Sequence, residues 1–483
     1  MSDIDQLITA LRGVVGEGHV WTDPERMAPH LREDRGRWFG TSPAVVRPAT
    51  TAEVAACVRL CAGAGVAMVP QGGNTGLVGG GSPEGGIVIS LSRMNRIIDL
   101  DAMNATMTVE AGCTLAQIQQ AAEAAGRLFP LSLASEGSCQ IGGNLSTNAG
   151  GTAVLRYGTT RELVLGLEAV LPSGEVLNAL SALRKDNTGY ALKDLMIGAE
   201  GTLGIITAAV LKLHPMPATQ ATAMIACAGP TEALQIFDLL RARCSDTLTA
   251  FEYLERFGLQ MVLDHLPGAR DPLESTWPAY ALIELSSPDP DADLQHRLEA
   301  ALADAMEEGL VSDAVIAASK GQSAALWTLR ESMSEMQKPA GASIKHDVAV
   351  PVSKVARFIL EGVAACKAYM PEVRPCPFGH FGDGNIHFNL TRPAAMSDAE
   401  FLSHYAAFNR IVHDLVASMG GSISAEHGIG LAKRDELPRY KDPVALALCR
   451  SIKAAIDPHN LMNPGKVLAP VPTPAPAPTE EPQ

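Results

Sequence analysis

Apolar positions in the first half of the chain fall in short runs divided by glycine and proline, and helical spacing alternates with strand-like spacing. The order is AVVRP, the helix TAEVAACVRLCAGAG, then VAMVP, GIVISLS and TMTVEAG, and the helix LAQIQQAAEAAG. From 163 to 213 the pattern becomes strand-rich, with LEAVL and EVLNA on either side of the turn Pro172-Ser173-Gly174, followed by GIITAAVLKLHP. Beyond Pro215 the glycine clusters thin out and helical patterns lengthen, in TEALQIFDLLRAR, DADLQHRLEAALADAMEEG and SDAEFLSHYAAFNRIVHDLVASMG. That shift predicts a separate mixed domain from about 217. The closing APVPTPAPAPTEEPQ has hardly any group able to enter a core, so 469–483 reads as a disordered tail.

A chain of 483 residues with 47% hydrophobic positions has room for two or three globular domains. Its 53 acidic against 38 basic residues give a net charge of −15, with no long Lys/Arg cluster, which argues against nucleic-acid and anionic-membrane partners. The opening MSDIDQLITALRG carries acids where a secretory signal is basic, and no stretch of about 18 apolar residues occurs, so a cytoplasmic protein without a membrane span is expected. The nine cysteines include no C-x-x-C pair and read as reduced thiols, Cys57 and Cys61 as core filling on one helix.

Three glycine clusters carry the first chemistry. Pro70-Gln71-Gly72-Gly73-Asn74-Thr75-Gly76-Leu77-Val78-Gly79-Gly80-Gly81 lies between two predicted strands, where bare backbone N–H groups can cradle a pyrophosphate. Gly137 to Gly151, with the core Gly142-Gly143-Asn144-Leu145-Ser146-Thr147-Asn148, is the second, and Glu200-Gly201-Thr202-Leu203-Gly204-Ile205-Ile206 the third. Neither a G-x-G-x-x-G fingerprint nor a P-loop is present, which removes the best support for NAD or ATP. Over residues 40 to 215 these segments resemble the vanillyl-alcohol oxidase flavoprotein family, whose corresponding loops enclose FAD. The resemblance implies an α+β architecture: a two-subdomain PCMH-type FAD-binding domain, a mixed α/β substrate (cap) domain, and a C-terminal segment returning to the FAD domain. It implies FAD contacts at Gln71, Gly72, Gly73, Asn74, Thr75, Gly76, Gly79, Gly80, Ser138, Gly142, Gly143, Asn144, Thr147, Asn148, Gly150, Gly201, Gly204 and Ile206. Many members attach FAD through a histidine of the first loop; this loop has none, so noncovalent FAD is expected.

A second constellation is polar. Phe378-Gly379-His380-Phe381-Gly382-Asp383-Gly384-Asn385-Ile386-His387-Phe388-Asn389 sets two histidines seven apart, and Glu426-His427 follows in Ser424-Ala425-Glu426-His427-Gly428-Ile429-Gly430. Two imidazoles and a carboxylate are a usual protein set for a catalytic divalent metal. Spacing alone leaves a structural histidine pair open. Both motifs resemble the D-2-hydroxyacid dehydrogenase branch of the same flavoproteins, including D-2-hydroxyglutarate and D-lactate dehydrogenases, and the match then runs nearly end to end. The resemblance implies His380, His387 and Glu426 as metal ligands, with zinc first and manganese second, and His427 as the acid/base. It implies substrate contacts at Arg330, Ser334 and Lys345, with Arg330 and Ser334 one turn apart on a predicted helix and Ser334 standing where threonine is typical; Asn389, alternating with His387 on its strand, is expected to complete them. Asn463, in Asn463-Pro464-Gly465-Lys466, resembles the family's closing motif near the flavin.

The resulting domain expectation is an N-terminal helical segment (1–40), the FAD domain (41–216), the cap (217–425), a C-terminal segment packing on the FAD domain (426–468) and the tail. The expected reaction is oxidation of a D-2-hydroxy acid, D-2-hydroxyglutarate first, by hydride transfer to flavin N5. Electrons pass to a separate acceptor such as an electron-transfer flavoprotein or a quinone; a homodimer is an open possibility. D-lactate or glycolate dehydrogenase, and an alcohol or sugar oxidase using oxygen, are the alternatives.

Overall fold

The computed structural model describes residues 2–33 and 35–470; the tail expected from 469 lies outside the described residues from 471 onward. The first sheet has four strands in the order Val20–Trp21, Val45–Val46, Ile87–Ser90, Met68–Gln71. The last three run parallel, which requires a crossover, and helix Thr51–Gly63 supplies it. Thr50 caps that helix by accepting from Glu53 N. Helix Asp3–Val15, opened by a capping box at Ser2, buries Leu7, Leu11 and Val15 in the same core. Cys57 and Cys61 are buried there, and desolvation pushes both thiols up to about 12. An antiparallel sheet, in the order Ile97–Asp101, Thr106–Glu110, Ile205–Lys212, Val164–Val170, Val176–Ala179, shares this core.

Residues 219–391 contain a seven-stranded antiparallel sheet in the order Asp313–Ile316, Thr219–Cys227, Ala279–Ser287, Leu248–Glu255, Arg374–His380, Asn385–Thr391, Ser343–Ala349. Alternation along the strands separates its faces. Ile225, Phe251, Tyr253, Ile344, Val348 and Phe388 enter a core under helices Pro230–Cys244, Leu294–Glu307, Val355–Tyr369 and Tyr405–Ser418. Met224, Leu254, Leu282, Cys376 and Phe378 point the other way, beneath helices Arg256–His265 and Lys320–Glu331.

The chain then returns to the first core. Met68 N donates to Leu461 O, Asn463 N donates to Met68 O, and Met462 is fully buried between them. Among the described residues no helix is long and apolar enough to cross a membrane.

Two predicted helices are broken. The SDAEF pattern divides at His404 into Asp398–Ser403 and Tyr405–Ser418. Helix Lys320–Glu331 ends before Ser332, and Met333–Met336 is a separate turn, so Arg330 and Ser334 do not share one continuous helix. Met333, buried against helix Arg256–His265, occupies the point where the helix would have continued.

Candidate active site

The glycine run from Gly73 to Gly80 is built to be held from behind. Gln71 Nε2 donates to His30 O and Gly81 O, and Asn74 Nδ2 donates to Pro29 O and Arg32 O. Among the described residues none of the N–H groups from Gly73 to Gly80 has a protein acceptor. Such a row of free donors fits an anionic cofactor. A Cβ on Gly73 would lie 2.0 Å from Ser138 O, so only glycine lets the first and second clusters touch. Gly72 faces Gly143 N, while Gly76 and Gly143 look into open space. Gly142 packs on Ala111, Gly79 lies against Trp38 and Leu431, and Thr75 is half-buried.

The other polar residues of the second cluster are spent on their own loop. Ser138 Oγ donates to Ser135 O, Asn144 Nδ2 points to Cys139 Sγ, and Thr147 Oγ1 donates to Gly143 O. Asn148, left-handed at φ 51°, closes the helix Ile141–Thr147 and accepts from Arg161 N. In the third cluster Gly201 packs on Pro70, Gly204 on Val170 O, and Ile206 is buried in its strand. Asn463 Nδ2 ties Gly80 O to Glu200 O, leaving its Oδ1 buried without a partner.

The polar constellation grows out of strand register. Glu252 pairs with His380, Phe378 with His387, His387 with Asp347, and Asn389 with both Lys345 and Cys376. Residues directly opposite share a face, so these side chains form one patch on the sheet face that also carries Phe378 and Cys376. Glu426 meets this patch from the C-terminal segment, and its Oε1 accepts from Gly151 N at 2.6 Å. The patch and the second glycine cluster therefore adjoin.

His380, His387 and Glu426 each offer a ligand atom, all within 4.8 Å of one another. His380 Nδ1 bonds Glu252 Oε1 at 2.8 Å and its Nε2 is 3.8 Å from Glu426 Oε1. Burial disfavours charge on His380, yet Glu252 and Glu426 raise it to about 9, while burial raises Glu426. Two imidazole nitrogens and a carboxylate oxygen thus converge, a borderline donor set that suits a divalent cation. The residues fit such an ion, with Glu252 fixing the His380 ring from outside.

Beside this group, Asp347 Oδ2 accepts from Glu426 N and His427 N, each at 2.9 Å. Gly428 at φ 84° follows, where a side chain would strike the Glu200 carboxylate, and Glu426 lies toward His380 while His427 lies toward Asp347. Burial drives His427 down to about 4 despite the Asp347 charge. Burial opposes ionisation of Asp347 too, but His427, Lys433 and His387 hold its carboxyl well below the usual range.

The predicted substrate residues come to this region with different commitments. Lys345 Nζ donates to Ser334 O and Ser334 Oγ at 3.0 and 3.1 Å, and burial, then Arg35, pushes it down to about 8. Asn389 Nδ2 donates to Gln337 Oε1 at 2.7 Å. Arg330 Nε donates to Glu252 Oε2 at 2.7 Å, and its Nη2 is buried without a well-aligned acceptor.

Sequence reasoning passed over Glu252, Asp347, Arg35 and Lys433. Asp347 was within reach, since it alternates with Lys345 on the same predicted strand. Glu252 lies in a run of apolar residues with no motif around it. Lys433 Nζ is buried without an acceptor among the described residues, and Arg35 comes from the loop after helix Pro24–Leu31, where Arg37 Nη1 donates to Tyr405 OH and Trp38 abuts Gly79. Arg35 is near enough for its charge to lower Lys345, His427 and Lys433.

Residues 216–467 match the family model for the C-terminal domain of FAD-linked oxidases, and 42–180 match that for an FAD-binding domain. The chain is 40% identical over 462 residues to the mitochondrial D-2-hydroxyglutarate dehydrogenase of Bos taurus, spanning 95% of this chain and 83% of that one. It is 39% identical over 471 residues to D-2-hydroxyglutarate dehydrogenase of Stutzerimonas stutzeri (strain A1501), spanning 96% and 99%. In fold it is similar to p-cresol methylhydroxylase with substrate bound, at TM-score 0.74 and 16% identity, covering 97% and 98% of the two chains. The FAD cradle, the two-domain α+β architecture and these matches together make the chain a member of the FAD-linked oxidases, in their D-2-hydroxyacid dehydrogenase branch.

Proposed function

We propose that the protein oxidises D-2-hydroxyglutarate to the 2-oxo acid, with noncovalent FAD and a divalent metal, zinc before manganese, and passes electrons to a separate acceptor in the cytoplasm. The observation that carries this reading is the sheet face on which His380, His387 and Lys345 stand in register, met by Glu426 and His427 from the C-terminal segment. Bound FAD would supply the acceptor for the C2 hydride, and a bound ion the Lewis acid that makes the hydroxyl more acidic. His380, His387 and Glu426 hold the ion. His427, whose Nδ1 is 3.6 Å from Asp347 Oδ2, removes the hydroxyl proton. Lys345, backed by Ser334, takes the distal carboxylate, and Arg330, anchored on Glu252, and Asn389 border the rest of the substrate. The relatives from Bos taurus and Stutzerimonas stutzeri are named for D-2-hydroxyglutarate, which supports the choice of acid.

Anaerobic flavin bleaching with a panel of D- and L-2-hydroxy acids tests the substrate. On His427→Asn, metal and FAD should stay while flavin reduction slows by about 10²–10⁴-fold. Glu426→Gln should lose metal instead. A His427 variant that reduces flavin at the parent rate removes it as base.

A further inference from the structure

We infer that Asp347 is a positioning residue that aims two imidazoles at once, His427 as base and His387 as metal ligand; the inference rests on the roles proposed for both. Asp347 stands directly opposite His387 in the strand pairing. Its Oδ1 is 3.8 Å from His387 Nδ1, and its Oδ2 is 3.6 Å from His427 Nδ1. The two rings are nearly parallel, 17° apart with centroids 6.1 Å apart. Asn385 Nδ2 donates to Oδ1 at 3.0 Å, and the N–H groups of Glu426 and His427 hold Oδ2, so the carboxylate has little freedom to turn.

A neutral imidazole carries one N–H. A carboxylate beside Nδ1 favours the tautomer with hydrogen on that nitrogen and leaves the Nε2 lone pair on the side away from it. A base and a metal ligand both need that lone pair. Asp347 meets the need for two rings from one rigid strand position. Its grip on the backbone of 426 and 427 also couples the ligand Glu426 to the base beside it.

The test uses the full-length flavin-loaded protein and zinc. Asp347→Asn keeps shape but lets an amide N–H face the rings. Anaerobic flavin reduction at saturating D-2-hydroxyglutarate and zinc should fall by about 10²–10⁴-fold, as for loss of a base's orienting carboxylate. The zinc Kd, read by titration independent of turnover, should rise by about 10–100-fold. Because Asp347 acts on the proton transfer through His427, the double variant Asp347→Asn, His427→Asn should be no slower than His427→Asn alone at saturating zinc. Independent losses that multiply, or an Asp347→Asn protein with parent rate and parent zinc Kd, overturn the inference. A parent rate in His427→Asn defeats the base reading, and Asp347 then stands or falls on the zinc Kd. Where Asp347→Asn does not accumulate, Asn385→Ala strips one donor from the same carboxylate and should slow flavin reduction several-fold at unchanged substrate Kd; a parent rate there overturns the inference equally.

Discussion

Arg330 is anchored to Glu252 inside the protein: Nε donates to Oε2 at 2.7 Å, and both side chains are closed to solvent. The same carboxylate bonds His380, so one buried acid serves a substrate-side arginine and a metal-side histidine. Burial alone would raise Glu252, but His380 and Arg330 bring it down to about 2. Since this lies below its ordinary 4.5, the stability it adds is present above that value and lost as pH falls through about 2.

Replacing Glu252 with Gln should cost roughly 3–5 kcal/mol of stability, because it leaves Arg330 charged and unpaired in the interior. Denaturant unfolding and a zinc titration would read it. Parent values in both would make Glu252 dispensable.

Lys345→Met should raise KM for D-2-hydroxyglutarate by a factor equivalent to about 1.5–3 kcal/mol and leave D-lactate nearly untouched, since only the first has a distal carboxylate. Equal losses for both acids would place Lys345 at the C1 end or in the fold.

The same lysine sets a pH effect. With Lys345 lowered to about 8, deprotonation removes its charge as pH rises through that value. KM for D-2-hydroxyglutarate should climb above pH 8 in the parent and stay level over the same span in Lys345→Met, as measured by steady-state kinetics.

Arg35→Gln should weaken binding of the dicarboxylate and lift the Lys345 transition toward higher pH, because Arg35 is among the charges depressing it. An unshifted pH profile would place Arg35 outside the substrate's field.

Removing divalent metal should abolish turnover while FAD remains, because the proposed ligands and the glycine cradle belong to different segments. Acid precipitation should free the flavin into the supernatant. Full activity in metal-free protein would take His380, His387 and Glu426 out of the reaction.

Legibility in the sequence followed local signal. The glycine clusters announce themselves because free backbone donors need glycine in a continuous run, and the crossover helix at 51–63 is visible from spacing and its Thr50 cap. His387 and Lys345 could be placed on strands by alternation. Their meeting could not be read, because it depends on which strands become neighbours, and Arg374–His380 pairs with Leu248–Glu255 across more than a hundred residues. Glu252 was invisible for that reason. The helix break at Ser332 was hidden too, because Met333 leaves the helix for a pocket beside Gly258 that only the folded chain creates.

Asn463 stitches Gly80 to Glu200, and Leu461 to Asn463 border Met68 at the edge of the first sheet. The cofactor loop is thus fastened by a residue 383 positions further along the chain, so the cradle closes only where two distant stretches of sequence meet.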